Sequence, residues 1–244
     1  MISNWVVTRA QPDADADAKA LRALGLTALT VPCIERVALS WPAWHPGAAR
    51  QVILVSSPFA AIQLALAWPA LRHPRPAVAA MAPITTERLA QQHVPVAIAA
   101  EGGVVALARA VLTWHQQHPG PLAVLYPTSD AGLRQPEQDE AVALLATCAE
   151  VERAAVYSTR APRGLDAQLA AVPAGHGYVF MSPSAVENVL ASFARAGQTH
   201  FAAAVACIGQ STQRRCLQLA AHLAPAHHVS FSAFAGALAR EKPS

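Results

Sequence analysis

The chain has 244 residues, of which 53% are hydrophobic and 14% charged, and it carries a formal net charge of +3. This excludes a disordered chain, which cannot bury enough apolar surface, and leaves one large domain or two small ones. So small and scattered a charge also excludes a nucleic-acid surface built on bulk attraction, while allowing an anionic small molecule at a local site. The cysteines Cys33, Cys148, Cys207 and Cys216 form no C-x-x-C pair, which predicts buried free thiols in a reducing compartment. No leader-like pattern opens the chain, and no apolar run approaches the roughly 18 residues that cross a bilayer. A cytoplasmic location without membrane contact is expected.

Short β-like runs alternate with amphipathic helices, the pattern of α/β architecture with parallel sheets. Trp5 to Thr8 reads as a strand, and Pro12 opens a helix whose first turn holds Asp13, Asp15 and Asp17. Gly25 ends that helix, and Ala28 to Val31 is the next strand. Ile34 to Arg50 has no clear period and reads as a crossing. The pattern restarts with a strand Val52 to Val55, then Ser56-Ser57-Pro58 and a helix. A strand Ala77 to Met81, a helix from Thr85, a short strand Val96 to Ala99 and a helix Gly103 to His115 follow. Next come a strand Leu122 to Tyr126, a helix Glu140 to Thr147 and an extended run Glu152 to Tyr157; Arg160 to Gly164 resembles a second crossing. The last series is a strand Tyr178 to Met181, a helix from Ser182-Pro183, a strand Ala204 to Ile208, a helix Thr212 to Ala221, a strand His228 to Phe231 and a helix to Arg240.

An internal repeat runs through this order. Ser57-Pro58-Phe59-Ala60-Ala61 and Ser182-Pro183-Ser184-Ala185-Val186 each follow an apolar strand. After a similar gap come Met81-Ala82-Pro83-Ile84-Thr85 and Ile208-Gly209-Gln210-Ser211-Thr212, then one more strand and helix in each copy. Two related α/β units are expected.

Serine before proline at a strand-to-helix junction caps the helix and suits its first position. Capping is therefore the plain reading of Ser57, Thr85, Ser182 and Thr212, and Ser184 with Glu187 has capping-box spacing. The same geometry also binds anions, because ligands of parallel sheets lie beyond the carboxyl ends of the strands, where helix N-termini offer free amides. Both readings stay open from the residues alone. His115 and His118, and His227-His228, read as solvated or structural histidines better than as metal ligands, and no metal is expected. No GxSxG, GxxxxGK[ST] or GxGxxG occurs, so hydrolase, nucleotide and dinucleotide machinery are not expected, and neither is a cofactor. Tyr157 can be packing or a proton donor.

At these residues the chain resembles the uroporphyrinogen-III synthase family over essentially its whole length. Val7-Thr8-Arg9 and Val31-Pro32 resemble the family's first strands, and Ser56-Ser57-Pro58 its F-T-S-x-x-A-V loop, with Val55 and Ser56 in place of the aromatic and threonine. Ala82-Pro83-Ile84-Thr85 is similar to G-x-x-T with alanine for glycine, and Val156-Tyr157 to the V-Y that ends the inserted domain. Phe180 to Val186 and Ile208 to Thr212 match the second copy. Pro127 to Asp139 departs from the pattern; Gly132-Leu133-Arg134 is an approximate counterpart of a Gly-Arg pair.

The resemblance implies two similar flavodoxin-like parallel-sheet domains joined by a two-stranded linker, with a cleft between them. Residues 1–34 and 161–244 would form one domain, 37–157 the other, and 34–37 and 157–161 the linkers. The implied substrate is hydroxymethylbilane, a linear tetrapyrrole with an acetate and a propionate on each ring. Its cyclisation with loss of water and inversion of the last ring gives uroporphyrinogen III. Tyr157 is the implied catalytic residue; Thr85, Ser182, Ser211 and Thr212 would bind carboxylates, with Ser56 and Ser57 supporting. A monomer is expected, with transient contact to the enzyme that supplies its substrate. The rival is a non-catalytic two-lobed protein that binds a small anion or a tetrapyrrole. A flavodoxin-like regulator would need an acidic cluster at its strand ends that this sequence lacks.

Overall fold

A computed structural model of the chain describes residues 3–48, 50–71, 73–197 and 204–240. In chain order the elements are β1 (Asn4–Val7), α1 (Asp13–Ala23), β2 (Thr27–Thr30), β3 (Glu35–Ala38), β4 (Arg50–Val55), α2 (Pro58–Ala67), β5 (Ala77–Met81), α3 (Ile84–Gln91), β6 (Ile98–Ala100) and α4 (Val104–Gln117). They continue with β7 (Leu122–Ser129), α5 (Pro136–Leu145), β8 (Ala149–Arg160), α6 (Leu165–Ala170), β9 (Gly177–Phe180), α7 (Pro183–Arg195), β10 (Val205–Ile208), α8 (Gln210–Ala220), β11 (Ala226–His228) and α9 (Phe231–Arg240). The chain divides into two compact units: an outer unit of residues up to Arg36 together with those from Arg160 onward, and an inner unit, Val37–Thr159.

The outer unit holds a five-stranded sheet in the order β11-β10-β9-β1-β2, its strands paired in parallel. Read from its other edge this is the 2-1-3-4-5 order of flavodoxin-like folds. The second sheet runs β3-β8-β7-β4-β5-β6, with β8 to β6 joined in parallel. β3 extends it at the β8 edge, where the Leu39 N–H donates to the Val156 carbonyl at 2.9 Å.

The two sheets repeat each other down to the hydrogen-bond register. Ile53 on β4 pairs with Val78 on β5 and Leu125 on β7, while Tyr178 on β9 pairs with Val205 on β10 and Val6 on β1. One strand farther out the matches persist, with Ala79 against Ile98 and Ala206 against Ala226 on one side, and Leu125 against Glu152 and Val6 against Leu29 on the other. Overlaying Ile53 on Tyr178 therefore puts Ser57 on Ser182, and overlaying Val78 on Val205 puts Thr85 on Thr212. Even a backbone bond beyond the strands recurs: Ala82 N–H to the Ala100 carbonyl, and Gly209 N–H to the His228 carbonyl, both 2.9 Å. Beyond the added edge strand β3, the difference is in chain order, since β7 and β8 follow β4 to β6, whereas their counterparts β1 and β2 precede β9 to β11. The units are circular permutations of one plan.

Both faces of each sheet are covered, which is why the central strands read as continuous apolar runs. In the outer unit Val6, Tyr178 and Phe180 face α6, α7 and α8 through Leu165, Val186, Val189 and Cys216. Trp5, Val7 and Val179 face α1 and α9 through Leu21, Phe234 and Leu238. In the inner unit Ile53 and Val55 meet α2 and α3 at Ala61, Leu64 and Leu89, and Val52 and Leu54 meet α4 and α5 at Leu107, Val111 and Leu145. Each fully buried leucine or valine contributes roughly 1.5–3 kcal/mol by leaving water.

Some expectations change. α6 occupies a stretch that carried no helix prediction; it is a single apolar turn or so, too short for a period to show. Cys33, Cys207 and Cys216 are buried, but Cys148, after the last turn of α5, is exposed. The capping-box reading of Ser184 fails because Ser182 caps α7 ahead of the position the box requires, and Glu187 pairs instead with Arg215 at 2.7 Å. His118 is engaged locally, its Nδ1 lying 2.8 Å from the Trp114 carbonyl and its ring stacked on that indole.

Candidate functional site

In each sheet the chain runs outward in one direction from one central strand and in the other direction from its neighbour. The outer unit reverses between β1 and β9, the inner unit between β4 and β7. At such a reversal the helices that follow the two strands lie on opposite faces, which opens a crevice at the carboxyl ends. The expected site residues gather around these two points and on the strand beside each.

At the inner reversal, β4 is followed by Ser56 and Ser57. The Ser56 hydroxyl lies 3.0 Å from the phenol oxygen of Tyr126 on β7, tying the two strands together. Tyr126 is fully buried, and that burial pushes its phenol up to about 12, an effect its bond to Ser56 opposes. It is a neutral hydrogen-bonding group and not a base. The Ser57 hydroxyl accepts the Ala60 N–H at 3.1 Å, capping α2, and lies 3.2 Å from the phenol oxygen of Tyr157 on β8. Tyr157 retains 9% exposure, and the ring of Phe59, in the first turn of α2, meets it edge-on at 5.0 Å. Its backbone carbonyl accepts the Asp130 N–H at 3.0 Å, so the turn after β7 also holds it.

That turn explains the poorly matching stretch of sequence. Gly132 opens a short 3₁₀ turn, Gly132–Arg134, and its N–H donates to the Ser129 hydroxyl at 2.8 Å. A Cβ there would overlap the Thr128 hydroxyl and sit 2.7 Å from the Gln138 amide nitrogen, so only glycine fits. Thr128 and Gln138 are themselves bonded, at 3.0 Å.

The outer reversal is simpler. Thr8, buried, donates to the Val179 carbonyl at 2.7 Å and joins β1 to β9. Ser182 caps α7 by accepting the Ala185 N–H at 3.2 Å, as Ser57 caps α2, but no phenol stands beside it among the described hydrogen bonds. Arg9, just past β1, is already engaged by Asp13 at 3.2 Å and Asp17 at 3.3 Å, and Arg36 reaches Asp13 at 3.8 Å. Burial raises the Asp17 carboxyl above its ordinary value, and Arg9 opposes that shift.

The strands next to the reversals carry the threonines. Neither Thr85 nor Thr212 is a cap: the N-caps are Pro83 and Gly209, and the threonines lie inside the first turns of α3 and α8, each 2% exposed. Ser211 stands exposed beside Thr212. The first N–H to reach back into α3 is that of Glu87, to the Pro83 carbonyl, and in α8 that of Gln213, to the Gly209 carbonyl. The three amides ahead of each have no intrahelical acceptor, as at any uncapped helix start. At α2 and α7 the serine cap and the proline remove most such donors. In each unit, therefore, the closed start of α2 or α7 neighbours an open one, that of α3 or α8. Gly209 makes its turn at φ 84°; Ala82, its counterpart, does not adopt positive φ, and the Ala82–Pro83 peptide is cis.

The structure thus joins Ser56 to Tyr126 and Ser57 to Tyr157 directly. Thr85 is on the neighbouring strand's helix with no hydrogen bond to that group, and Ser182, Ser211 and Thr212 form the corresponding row of the outer unit. Sequence reading missed Tyr126, whose only signal was a phenol closing an apolar strand. No group of His, Cys, Asp or Glu that could hold a metal occurs among the described residues, and no described helix is long and apolar enough to cross a membrane.

Comparison with known proteins bears on this arrangement. Among solved structures, uroporphyrinogen-III synthetase from Helicobacter pylori is similar at TM-score 0.63 and 16% identity, over 98% of this chain and 99% of that one. A mutant uroporphyrinogen III synthase from the extremely thermophilic bacterium Thermus thermophilus is similar at TM-score 0.57 and 14% identity, over 98% and 99%. At such identities these likenesses show the fold alone. No curated protein matches in sequence. The family described as uroporphyrinogen-III synthase HemD matches residues 15–232, a span that takes in the inner reversal, β9 of the outer one and the starts of α2, α3, α7 and α8. A two-unit parallel α/β fold with its hydroxyls massed at the strand ends is what that match joins to a family: the chain belongs to the uroporphyrinogen-III synthases.

Proposed function

We propose that this chain converts hydroxymethylbilane into uroporphyrinogen III, acting as a hydro-lyase in the cytoplasm on a small-molecule substrate and without a cofactor. The observation that carries the reading is the Tyr157 phenol, in a side chain at the margin of the core and held at 3.2 Å from Ser57 beside the inner reversal. The functional domains we propose are 1–34 with 161–244, and 37–157.

In this reading the phenol donates its proton to the departing hydroxyl. The carbon–oxygen bond breaks as the adjacent pyrrole nitrogen supplies electrons, water leaves, and an electrophilic azafulvenium cation remains opposite a phenolate. The substituted carbon of the last ring attacks, the spiro intermediate fragments, and recombination inverts that ring. The proton lost as the last ring regains aromaticity returns to the phenolate, so the enzyme is unchanged. A phenol is a weak acid, and one positioned acid contributes about 10²–10⁴-fold. The rest is conformational: a flexible chain must be held in one reactive shape. The open starts of α3 and α8, with Thr85, Ser211 and Thr212, are suited to carboxylates through free amides and the helix dipole. Ser182 and Ser56 support their helix start and strand pair more than they offer free donors.

Incubation with enzymatically generated hydroxymethylbilane tests the reading. Diversion of product from the spontaneous isomer I to isomer III is expected. Dominant isomer I at saturating protein would overturn the proposal in favour of a non-catalytic tetrapyrrole binder.

A further inference from the structure

Ser57 does something its counterpart Ser182 does not, although register makes the two equivalent. Both accept an amide from the first turn of the following helix, Ala60 N–H in one case and Ala185 N–H in the other. Only Ser57 also meets a phenol. A serine hydroxyl has one hydrogen and two lone pairs. With one lone pair taken by Ala60, the hydrogen remains, and the Tyr157 oxygen is the sole acceptor beside it among the described hydrogen bonds. If Ser57 donates, its own valences are satisfied and the Tyr157 hydrogen is left to point outward. If Tyr157 donates, the proton needed for chemistry is tied up and the Ser57 hydrogen has no other acceptor among the described residues.

We propose that Ser57 is a positioning residue for Tyr157: it donates its hydrogen to the phenol oxygen, orients the phenol proton outward, and stabilises the oxygen as that proton leaves. The proposal rests on the role of Tyr157 given above and replaces the expectation that Ser57 binds a substrate carboxylate. The cap makes the donation directional. Because Ala60 N–H pins the serine oxygen at the helix start, Ser57 cannot rotate freely to another acceptor, and the ring of Phe59, two residues on, restrains Tyr157 from the side. The hydrogen bond strengthens as the phenol oxygen acquires charge, so its loss falls on the rate of the proton-transfer step and not on ground-state binding.

The experiment is a kinetic double-mutant cycle on the full chain, measuring kcat and KM for isomer III formation in Ser57→Gly, Ser57→Ala, Ser57→Thr, Tyr157→Phe and the Ser57→Gly/Tyr157→Phe pair. Glycine is tolerated at an N-cap, which keeps the test alive if Ser57→Ala does not fold. The expected result is a kcat about tenfold lower in Ser57→Gly with KM little changed, rescue in Ser57→Thr, and no additional loss in the pair beyond Tyr157→Phe alone. An equal, multiplicative loss in both backgrounds, or a rise confined to KM, overturns the positioning role while leaving Tyr157 in place. Full kcat in Tyr157→Phe would instead remove the reading on which the proposal stands.

Discussion

The outer and inner units build one sheet plan with one register, yet they fasten their reversal points differently. The outer unit closes its reversal with a single side chain-to-backbone bond, Thr8 to the Val179 carbonyl. The inner unit uses two side chain-to-side chain pairs, Ser56 with Tyr126 and Ser57 with Tyr157, each spanning separate strands. A backbone acceptor is fixed by the sheet, so the outer arrangement is rigid and chemically quiet. In a hydroxyl pair one hydrogen stays outside the bond, so the inner arrangement can give up a proton. A repeated framework thus need not repeat its chemistry: both units keep an open helix start, and only one keeps a phenol beside a capping serine.

The comparison can be broken first at Tyr157. Tyr157→Phe should lower kcat by about 100-fold with KM little altered, measured by isomer III formation; a comparable fall in a variant confined to the outer unit would show that the chemistry is not localised as argued. Next are the glycines that each unit requires by packing. Gly177 lies under Trp5, where a Cβ would stand 2.7 Å from the indole, and Gly132 lies against Thr128 and Gln138. Gly177→Ala and Gly132→Ala should each cost about 1–3 kcal/mol in denaturant unfolding by overpacking. Only Gly132→Ala should also reduce kcat, because its turn supports the Tyr157 backbone through Asp130.

Smaller effects sharpen the comparison. Thr85→Val and Thr212→Val remove hydroxyls that have no hydrogen-bond partner among the described residues, so stability should hold while KM rises about 2- to 10-fold in each, the worth of one hydrogen bond. Unequal effects would mean that the open helix starts of the two units do not share the load. Smallest is a pH effect confined to the outer unit. Arg195 grips Asp166 through bonds of 3.1 and 2.6 Å and holds its carboxyl down to about 2 from an ordinary 3.8. A depressed carboxyl stabilises the fold above its unfolded value and loses that contribution as pH falls toward the folded one. The Tm advantage of wild type over Asp166→Asn should therefore narrow between about pH 4 and pH 2, and it should be small throughout because the pair is exposed.

The sequence was most legible where a feature is local. Alternating short apolar runs and amphipathic helices named the α/β class, and serine before proline marked the starts of α2 and α7, because cap and first-turn preferences act within a few residues. The threonines misled for the same reason. Thr85 and Thr212 follow strands much as the serines do, and only the backbone shows Pro83 and Gly209 at the cap positions. α6 stayed hidden because one short turn has no period to read. The site was half legible. Tyr157 and Ser57 were singled out separately, but their meeting, and that of Ser56 with Tyr126, joins residues 100 and 70 positions apart. Such contacts follow from which strands become neighbours, and no local pattern encodes that.

The permuted chain order has a consequence for how the protein is made. β4 to β8 leave the ribosome as one run, and the inner sheet has all those strands in hand before β9 exists. β1 and β2 emerge before their central neighbour β9, so the edge of β1 that pairs with it must wait open while the whole of Val37–Thr159 is synthesised. At ~5–20 residues per second that interval lasts on the order of ten seconds. Until then β1 offers an open strand edge to misassociation and to chaperone capture, and the inner unit is already built when its sister can first form.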